Sequence, residues 1–571
     1  MVIVDKNLEM QFEMFKGTPI ALCEELLYYV RDSGIYTLNT RNYGIQQLNL
    51  SVFEGFDELI FMHHINRYLF VYFLDGKIEI KVAAVKSINF IYEKTIEILI
   101  SGCVDTIHVA GTVLLVCGTI NEQFNDTKGI IQRIIFEINE LGELHTLVDN
   151  YDGSLINNAI PVSIGSRTLV YIEDKTPFDP NIVLATIEGN FINEITSHTC
   201  VHYNDTLLYA GSKEENYKLF HIDMSGQIVI YDAPGFINKL MIWKDFIFAV
   251  ILVEGEEIIF RIEISNSNVE YSPIITGSGK KEIYPMNNGV IVLHFDTLLG
   301  VGFYFIDSAC NLTIPRTKLG LWEPLNLNSR KIVSSQGAVA LILSATSKIK
   351  GSILHFHGGP DSYEVEELRF FSSLRELIEE GYQLIILNYQ GSKGIGRAHQ
   401  SAWNNWHTAL QQDIVWLQSE GLLETDCITA GWSFGGTLAF IATQFIPKSK
   451  GVIVGGILSN LIKHRIRANE VDSVYEVWFN RRFGEGIDLK NQNNLFFDLN
   501  NHLKRPIKVI SFHGEEDQHC SYKDFEQFKT NAIVAGFAWT HFDLAGKSHY
   551  AETLEDATLI KQETLNFVRG L

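Results

Sequence analysis

The sequence predicts two halves of different architecture: an all-β, propeller-like half over residues 20–325 and an α/β half over residues 326–571. Three observations predict this. Between about residues 20 and 325, short β-rich runs alternate with Gly, Asn and Asp turns, and hardly any stretch has helical period. A loose motif, an apolar residue followed by Asp, Asn or Glu at a turn, recurs there. After about residue 330, apolar strands separated by helical stretches take over.

The recurring motif sets the repeat length. It appears as Tyr36-Thr37-Leu38-Asn39, Phe73-Leu74-Asp75-Gly76, Phe136-Glu137-Ile138-Asn139 and Ala185-Thr186-Ile187-Glu188, then as His221-Ile222-Asp223, Arg261-Ile262-Glu263 and Phe305-Ile306-Asp307. Its central Leu or Ile residues are 36, 64, 49, 35, 40 and 44 residues apart. Periods of about 40–50 residues are those of four-stranded propeller blades. Seven marks predict about seven blades, and the 64-residue gap leaves room for an eighth. Residues 1–19 form a separate N-terminal segment, expected to pack on the second half.

In the second half, Leu354–His357, Leu384–Asn388, Cys427–Ala430, Gly451–Leu458 and Lys508–His513 read as buried strands. Helical stretches such as Phe371–Glu380 and Gln411–Glu420 lie between them. Apolar strands alternating with helices imply a parallel sheet covered on both faces.

Composition bounds the function. At 571 residues the chain is long enough for two or three domains, and 46% hydrophobic residues supply ample core. A net charge of −22 argues against nucleic acid and anionic membrane surfaces as partners. It leaves a homo-oligomer open. No apolar run reaches the length of a membrane span. Met1-Val2-Ile3-Val4-Asp5 has neither the basic nor the apolar region of a secretory signal, so a cytoplasmic protein is expected. Seven cysteines (Cys23, Cys103, Cys117, Cys200, Cys310, Cys427, Cys520) are scattered without a C-x-x-C pair, which predicts neither a disulfide framework nor a zinc site.

The chemistry is concentrated in Gly431-Trp432-Ser433-Phe434-Gly435-Gly436, between a β run ending at Ala430 and a helical stretch over Thr437–Phe445. G-x-S-x-G between strand and helix is the pattern of a nucleophile elbow, a turn so sharp that only Gly is tolerated beside the serine. A serine hydroxyl needs a base to take its proton and an acid to orient that base. On this kind of sheet the chain order is Ser, then Asp or Glu, then His. His513-Gly514-Glu515-Glu516-Asp517 follows a strand and offers three acids, and His549 lies in a later Gly-containing loop. His519 and His541 are the other late histidines close by, and His513 reads as a turn-packing residue. The oxyanion hole needs two backbone N–H groups. One belongs to the residue after the nucleophile, Phe434, and the other to the early loop His357-Gly358-Gly359-Pro360.

Taken in order, His357-Gly358-Gly359-Pro360, Asn388-Tyr389-Gln390-Gly391-Ser392, Gly431-Trp432-Ser433-Phe434-Gly435-Gly436, His513 to Asp517, and His549 resemble the prolyl oligopeptidase family of serine peptidases. The His-Gly-Gly-Pro form looks most like its acylaminoacyl-peptidase branch. The resemblance covers roughly residues 350–571 and implies an α/β-hydrolase catalytic domain behind a β-propeller. It implies that Ser433 is the nucleophile, that Asp517 rather than Glu515 or Glu516 orients the base, and that His549 is the base. It also implies an oxyanion hole of Gly359 and Phe434 N–H groups, a structural role for Asp413, and no metal or cofactor. Three departures lie near the site: Gln390 stands where the family usually has Arg, Cys520 where it has Val, and Lys547-Ser548 where it has an acidic residue and Gly.

The implied activity is cleavage of short peptides through an acyl-enzyme, with the propeller restricting access. The same triad could serve a specialised hydrolase of an ester, amide or isopeptide, or a maturation or immunity enzyme for one dedicated peptide. A substrate pocket is expected after strand 451–458, with Trp478 and Phe479 as walls and Arg465, Arg467, Arg481 and Arg482 as anchors.

Overall fold

A computed structural model describes most of residues 14–571. The longer stretches it leaves undescribed are 120–132, 139–143, 150–159, 175–180, 320–326, 367–372, 395–404 and 472–495, together with short turns; between 101 and 198 it describes backbone strands alone.

Among the described residues the first half consists of seven four-stranded antiparallel sheets. They comprise β1–β4 (between Thr18 and Gln47), β5–β8 (Glu58 and Leu99), β9–β12 (Cys103 and Asp149), β13–β16 (Ile160 and Thr196), β17–β20 (Thr199 and Asp232), β21–β24 (Phe236 and Ile275) and β25–β28 (Lys280 and Lys318). Strands pair in chain order within each sheet, as hairpin-connected blades do. The first strands of successive sheets pack on one another: β9 (Cys103–Ala110) on β13 (Ile160–Ile164), β13 on β17 (Thr199–Tyr203), β17 on β21 (Phe236–Trp243) and β21 on β25 (Lys280–Met286). The last sheet then meets the first through β25 and β1 (Thr18–Cys23). Leu27, Tyr29 and Leu38 share a buried cluster with Ile291, Leu293 and Phe303 at that seam.

The motif that set the repeat length falls on the third strand of six sheets, at Leu38, Ile138, Ala185, Ile222, Ile262 and Ile306. The seventh, at Phe73, falls instead on β6 (Arg67–Leu74), a second strand. That displacement lengthens the following gap, and the described strands within it complete one sheet and begin the next. Residues 1–13 of the expected N-terminal segment lie outside the described residues. Met14, within that segment, is buried with propeller residues of the first and last sheets.

The second half is one eight-stranded sheet in the order β29-β30-β32-β31-β33-β34-β35-β36. The strands are β29 (Asn328–Val333), β30 (Val339–Ser344), β31 (Gly351–Phe356), β32 (Tyr382–Asn388), β33 (Asp426–Trp432), β34 (Ser449–Gly455), β35 (Lys508–Gly514) and β36 (Ala538–Leu544). From β32 onward in that order neighbours are parallel, whereas β29, β30 and β32 pair antiparallel. The strand expected over 451–458 stops at Gly455 because Gly456 turns the chain at φ 46°.

Alternate residues of the parallel strands face two cores. Leu354, Phe356, Val452, Val454 and Val509 pack under α2 (Trp406–Ser419), α3 (Phe434–Ala442) and α5 (Tyr522–Val534). Ile353, Ile453, Ile510 and Phe512 pack under α1 (Ser373–Glu379) and α6 (Leu554–Arg569). Strands buried on both faces read as continuous apolar runs, which is why they stood out in the sequence. Helix α6 starts on a capping box, Thr553 and Asp556 each bonding the other's backbone N–H. No helix among the described residues is long and apolar enough to cross a membrane.

The halves are bonded together at the segment that follows β31. Thr297 donates its N–H and hydroxyl to the Glu366 carbonyl at 3.3 and 3.2 Å. The Tyr363 hydroxyl donates to Glu257, a fully buried propeller carboxylate. Phe236 and Leu252 of the propeller close a small apolar cluster with Val365. Arg375 of α1 reaches back to the Thr297 and Leu298 carbonyls at 2.9 and 3.2 Å. Arg375→Ala removes a charged donor from two partly desolvated carbonyls, at a cost of about 1–3 kcal/mol. It should lower the first midpoint in a thermal scan, and an unchanged midpoint would contradict this role.

Candidate active site

Ser433 stands between β33 and α3 with φ 58° and ψ −128°, a backbone conformation that a non-glycine residue adopts only under strain. The turn closes because its neighbours lack side chains. A Cβ on Gly435 would run into the Phe356 carbonyl oxygen, and one on Gly431 into the Gly435 carbonyl oxygen. The Ser433 N–H is secured on the Gly455 carbonyl at 2.8 Å, tying the turn to the end of β34. The result is a half-buried serine at the C-terminal edge of the sheet, where open α/β sheets carry their ligands.

Of the three candidate acids, Glu515 and Glu516 are exposed and Asp517 is buried. Asp517 Oδ2 accepts from His549 Nδ1 at 2.7 Å. Its other oxygen accepts the His519 and Cys520 backbone N–H groups at 2.9 and 2.7 Å. Burial would raise the Asp517 carboxyl, but the His549 hydrogen bond and charge, with the Cys520 N–H, hold it below the usual carboxylate range. His549 is buried, and the Trp432 indole donates to its backbone carbonyl at 2.8 Å. The residue before the serine thus anchors the loop that carries the imidazole. The three elements converge: a Cβ on Gly456 would lie 3.0 Å from His549 Cε1, beside the turn that holds Ser433.

The loop after β31 passes the serine closely, since a Cβ on Gly358 would lie 3.3 Å from Ser433 Cβ. Gly359 turns with φ 51°. Phe434 opens α3, where the first N–H groups of a helix have no partner within it. The Asn388-Tyr389-Gln390-Gly391-Ser392 motif braces this loop. Asn388 bonds both the N–H and the carbonyl of Glu364 at 2.7 Å, and Ser392 meets His357 Nε2 at 2.7 Å. The Tyr389 ring stacks on His357 at 4.3 Å.

Residues 369–537 match the model of the prolyl oligopeptidase family. The match lies within the α/β half, which resembles that family over this stretch. Acylamino-acid-releasing enzyme 1 of Oryza sativa subsp. japonica is 29% identical over 173 residues, which are 29% of this chain and only 22% of that protein. Among solved structures, Pyrococcus horikoshii acylaminoacyl peptidase superposes with a TM-score of 0.70 at 14% identity, covering 98% of this chain and 96% of that one. A puromycin-hydrolyzing peptidase from Mycobacterium tuberculosis gives 0.72 at 12% identity, covering 99% and 95%. At those identities the likeness establishes the fold, a β-propeller followed by an α/β-hydrolase domain.

Against the usual pattern of the prolyl oligopeptidase family, Gln390 has a defined consequence. Asp413, in α2, is buried and accepts from the Gln390 N–H and side-chain amide, both at 2.9 Å. An arginine at 390 would neutralise this carboxylate, whereas an amide leaves it without a charge partner there. Burial pushes the Asp413 carboxyl up to about 7, the Gln390 hydrogen bonds opposing.

The expected pocket is only partly visible. Arg465 is buried in α4 (Leu461–Val471), and Arg467 lies in the same helix. Trp478, Phe479, Arg481 and Arg482 lie outside the described residues. Two residues named in the sequence, His513 and Cys520, make contacts at the site that the sequence did not show. His513, fully buried, donates from Nε2 to the Cys520 carbonyl at 2.8 Å and lies 3.5 Å from Asp517 Oδ2. Burial lowers it to about 4, so it is neutral. The Cys520 thiol sits 3.9 Å from Ser433 Oγ. Its signal was the departure from Val, but the contact depends on the fold of the loop after β35.

Asp413 makes a pH prediction. Its folded pKa lies above its unfolded value, so its stabilising contribution is full below the carboxylate range and is lost as pH rises through about 7. Asp413→Asn should therefore gain stability relative to the unsubstituted protein between about pH 6 and about pH 8. Denaturant midpoints at the two pH values measure this, and an identical difference at both would contradict it.

Proposed function

We propose that this chain is a serine peptidase that cleaves short peptides through an acyl-enzyme. The observation that carries this reading is a buried, hydrogen-bonded Asp517–His549 pair beside a serine held at positive φ. Ser433 Oγ attacks the scissile carbonyl while His549 Nε2 takes its proton, and His549 then returns that proton to the leaving amine. Asp517 fixes the tautomer, since its bond to Nδ1–H leaves Nε2 as the acceptor, and it stabilises the imidazolium that forms. The Phe434 and Gly359 N–H groups receive the charge that develops on the carbonyl oxygen. Water repeats the sequence on the acyl-enzyme.

The propeller, bonded to the segment 363–366 that follows the oxyanion loop, limits the substrate to chains able to reach the sheet edge. The likeness to proteins named acylaminoacyl peptidase and acylamino-acid-releasing enzyme supports a peptide as the acyl donor.

Ser433→Ala should lower kcat/KM by about a million-fold, and Asp517→Asn by about ten-thousand-fold, with both proteins folded. Initial rates on a mixture of N-terminally blocked and free peptides, resolved by mass spectrometry, provide the test. A loss of less than about tenfold in Ser433→Ala would remove Ser433 from the mechanism, since a nucleophile contributes far more.

A further inference from the structure

Glu366 lies where the segment after β31 meets the propeller, and the residue is only 4% exposed. Its backbone carbonyl accepts both the N–H and the hydroxyl of Thr297. Its carboxyl is less well served. Oε2 accepts from the Ser329 hydroxyl of β29 at 3.0 Å, and Oε1 is buried with no hydrogen-bond partner among the described residues. We propose that the Glu366 carboxyl is a protonation-sensitive latch between the halves, closed while the group is neutral and loosened when it ionises opposite the propeller carboxylate Asp296.

A carboxylate buried away from water needs donors or a cation to offset its lost hydration. Hydrogen bonds to a carboxylate favour its charged form. Asp296, at the end of β26 (Gly289–Asp296), accepts the Leu298 and Leu299 N–H groups at 2.8 and 2.6 Å and the Ser278 hydroxyl. Glu366 has one donor against those three, so it is the member of the pair that holds a proton. The neighbouring cation is Lys281, but its ammonium donates to the Gly277, Ser278 and Gly279 carbonyls at 2.6, 3.0 and 3.1 Å. Burial lowers that ammonium to about 8.

The remaining charged groups of the junction are already engaged. At the start of β23 (Glu256–Ser265), Glu256 accepts the Gly277 N–H at 2.7 Å. Glu257 accepts the Lys281 N–H at 2.6 Å and the Tyr363 hydroxyl, with Lys280 at 3.6 Å. His294 donates from Nε2 to the Ser278 carbonyl at 2.7 Å and accepts from Arg316 Nε at 2.8 Å. Burial lowers it to about 4, so it adds no charge. On the other half, Arg375 donates to the Thr297 and Leu298 carbonyls, Glu364 meets His355 at 2.6 Å, and Lys331 meets the propeller's Glu254 at 2.9 Å. Burial, reinforced by Asp296 and Glu256, pushes the Glu366 carboxyl up to about 8, with the Ser329 hydroxyl and Lys281 opposing.

A carboxyl raised in this way stabilises the closed junction in full below the ordinary carboxylate range, and that contribution is lost as pH rises toward about 8. Opening returns Glu366 to water and to its ordinary range. Rising pH therefore favours the open junction by up to about tenfold per pH unit, levelling off above about pH 8. The segment whose Gly358 passes Ser433 then loses one of its attachments to the propeller. The latch does not depend on the peptidase reading.

Hydrogen exchange of the Thr297 amide, which donates to the Glu366 carbonyl, reports the junction directly. The whole chain is followed by mass spectrometry between about pH 5.5 and about pH 8.5, with rates divided by the intrinsic exchange rate and α5 as an internal control. In the unsubstituted protein, protection at Thr297 should fall at least about tenfold more than in α5 between about pH 5.5 and about pH 7.5. In Glu366→Gln, which keeps the shape and cannot ionise, the fall at Thr297 should match that in α5 within about twofold. Glu366→Met serves equally if the glutamine variant does not fold. Asp413, which titrates in the same range, is common to all these proteins, so the difference between them isolates Glu366. The same pH-dependent loss in the variants, or none in the unsubstituted protein, would overturn the proposal.

Discussion

The backbone of Ser433 is forced into a conformation its side chain disfavours, and the arrangement around it depends on that being maintained. A residue in such a region costs of the order of 1–3 kcal/mol, and it persists only when its surroundings leave no alternative. Here the surroundings are explicit. The β33 strand enters on one side, α3 leaves on the other, and Gly431 and Gly435 let the two approach without a side chain between them. The Ser433 N–H is fixed on Gly455, and Trp432 carries the loop of His549 through its indole N–H. The packed core under α3, from Leu438 to Ala442 with Val452 and Val454, offsets the strain.

A second layer holds the groups that face the serine. Asp517 receives three hydrogen bonds, so its carboxylate is positioned from both oxygens. The segment after β31, whose Gly358 passes Ser433, is held by Asn388 and Ser392 and, from the propeller, by the Tyr363–Glu257 contact. The propeller is therefore bonded to the segment that passes Ser433 and does not merely precede it in the chain. That attachment is polar and local, and a few side chains on each half carry it.

Much of this was legible in the sequence because the relevant constraints are short-range. The elbow is visible in six consecutive residues, since only glycine satisfies its steric demands. Strands buried on both faces announce themselves as apolar runs, and Leu354, Ile453 and Ile510 were readable on that ground. The repeat could be counted because its mark falls on the third strand of most sheets, yet Phe73 shows how a pattern of alternating apolar residues can land on a neighbouring strand. What was not legible depends on loops. Spacing alone could not separate Asp517 from Glu515 and Glu516, and only the family resemblance chose Asp517; in the structure burial separates them, and burial is a property of the turn after β35. The place of Cys520 beside Ser433 and that of Met14 in the propeller are set by tertiary contacts between distant segments.

The central claim is that Ser433 is an activated nucleophile, and covalent capture addresses it without any assumption about the substrate. A serine-directed fluorophosphonate, followed by proteolysis and mass spectrometry, locates the modified residue. A single dominant adduct is expected on Ser433, and His549→Ala should abolish it while the protein stays folded. Labelling at another serine, or undiminished labelling of Ser433 without His549, would contradict an activated Ser433.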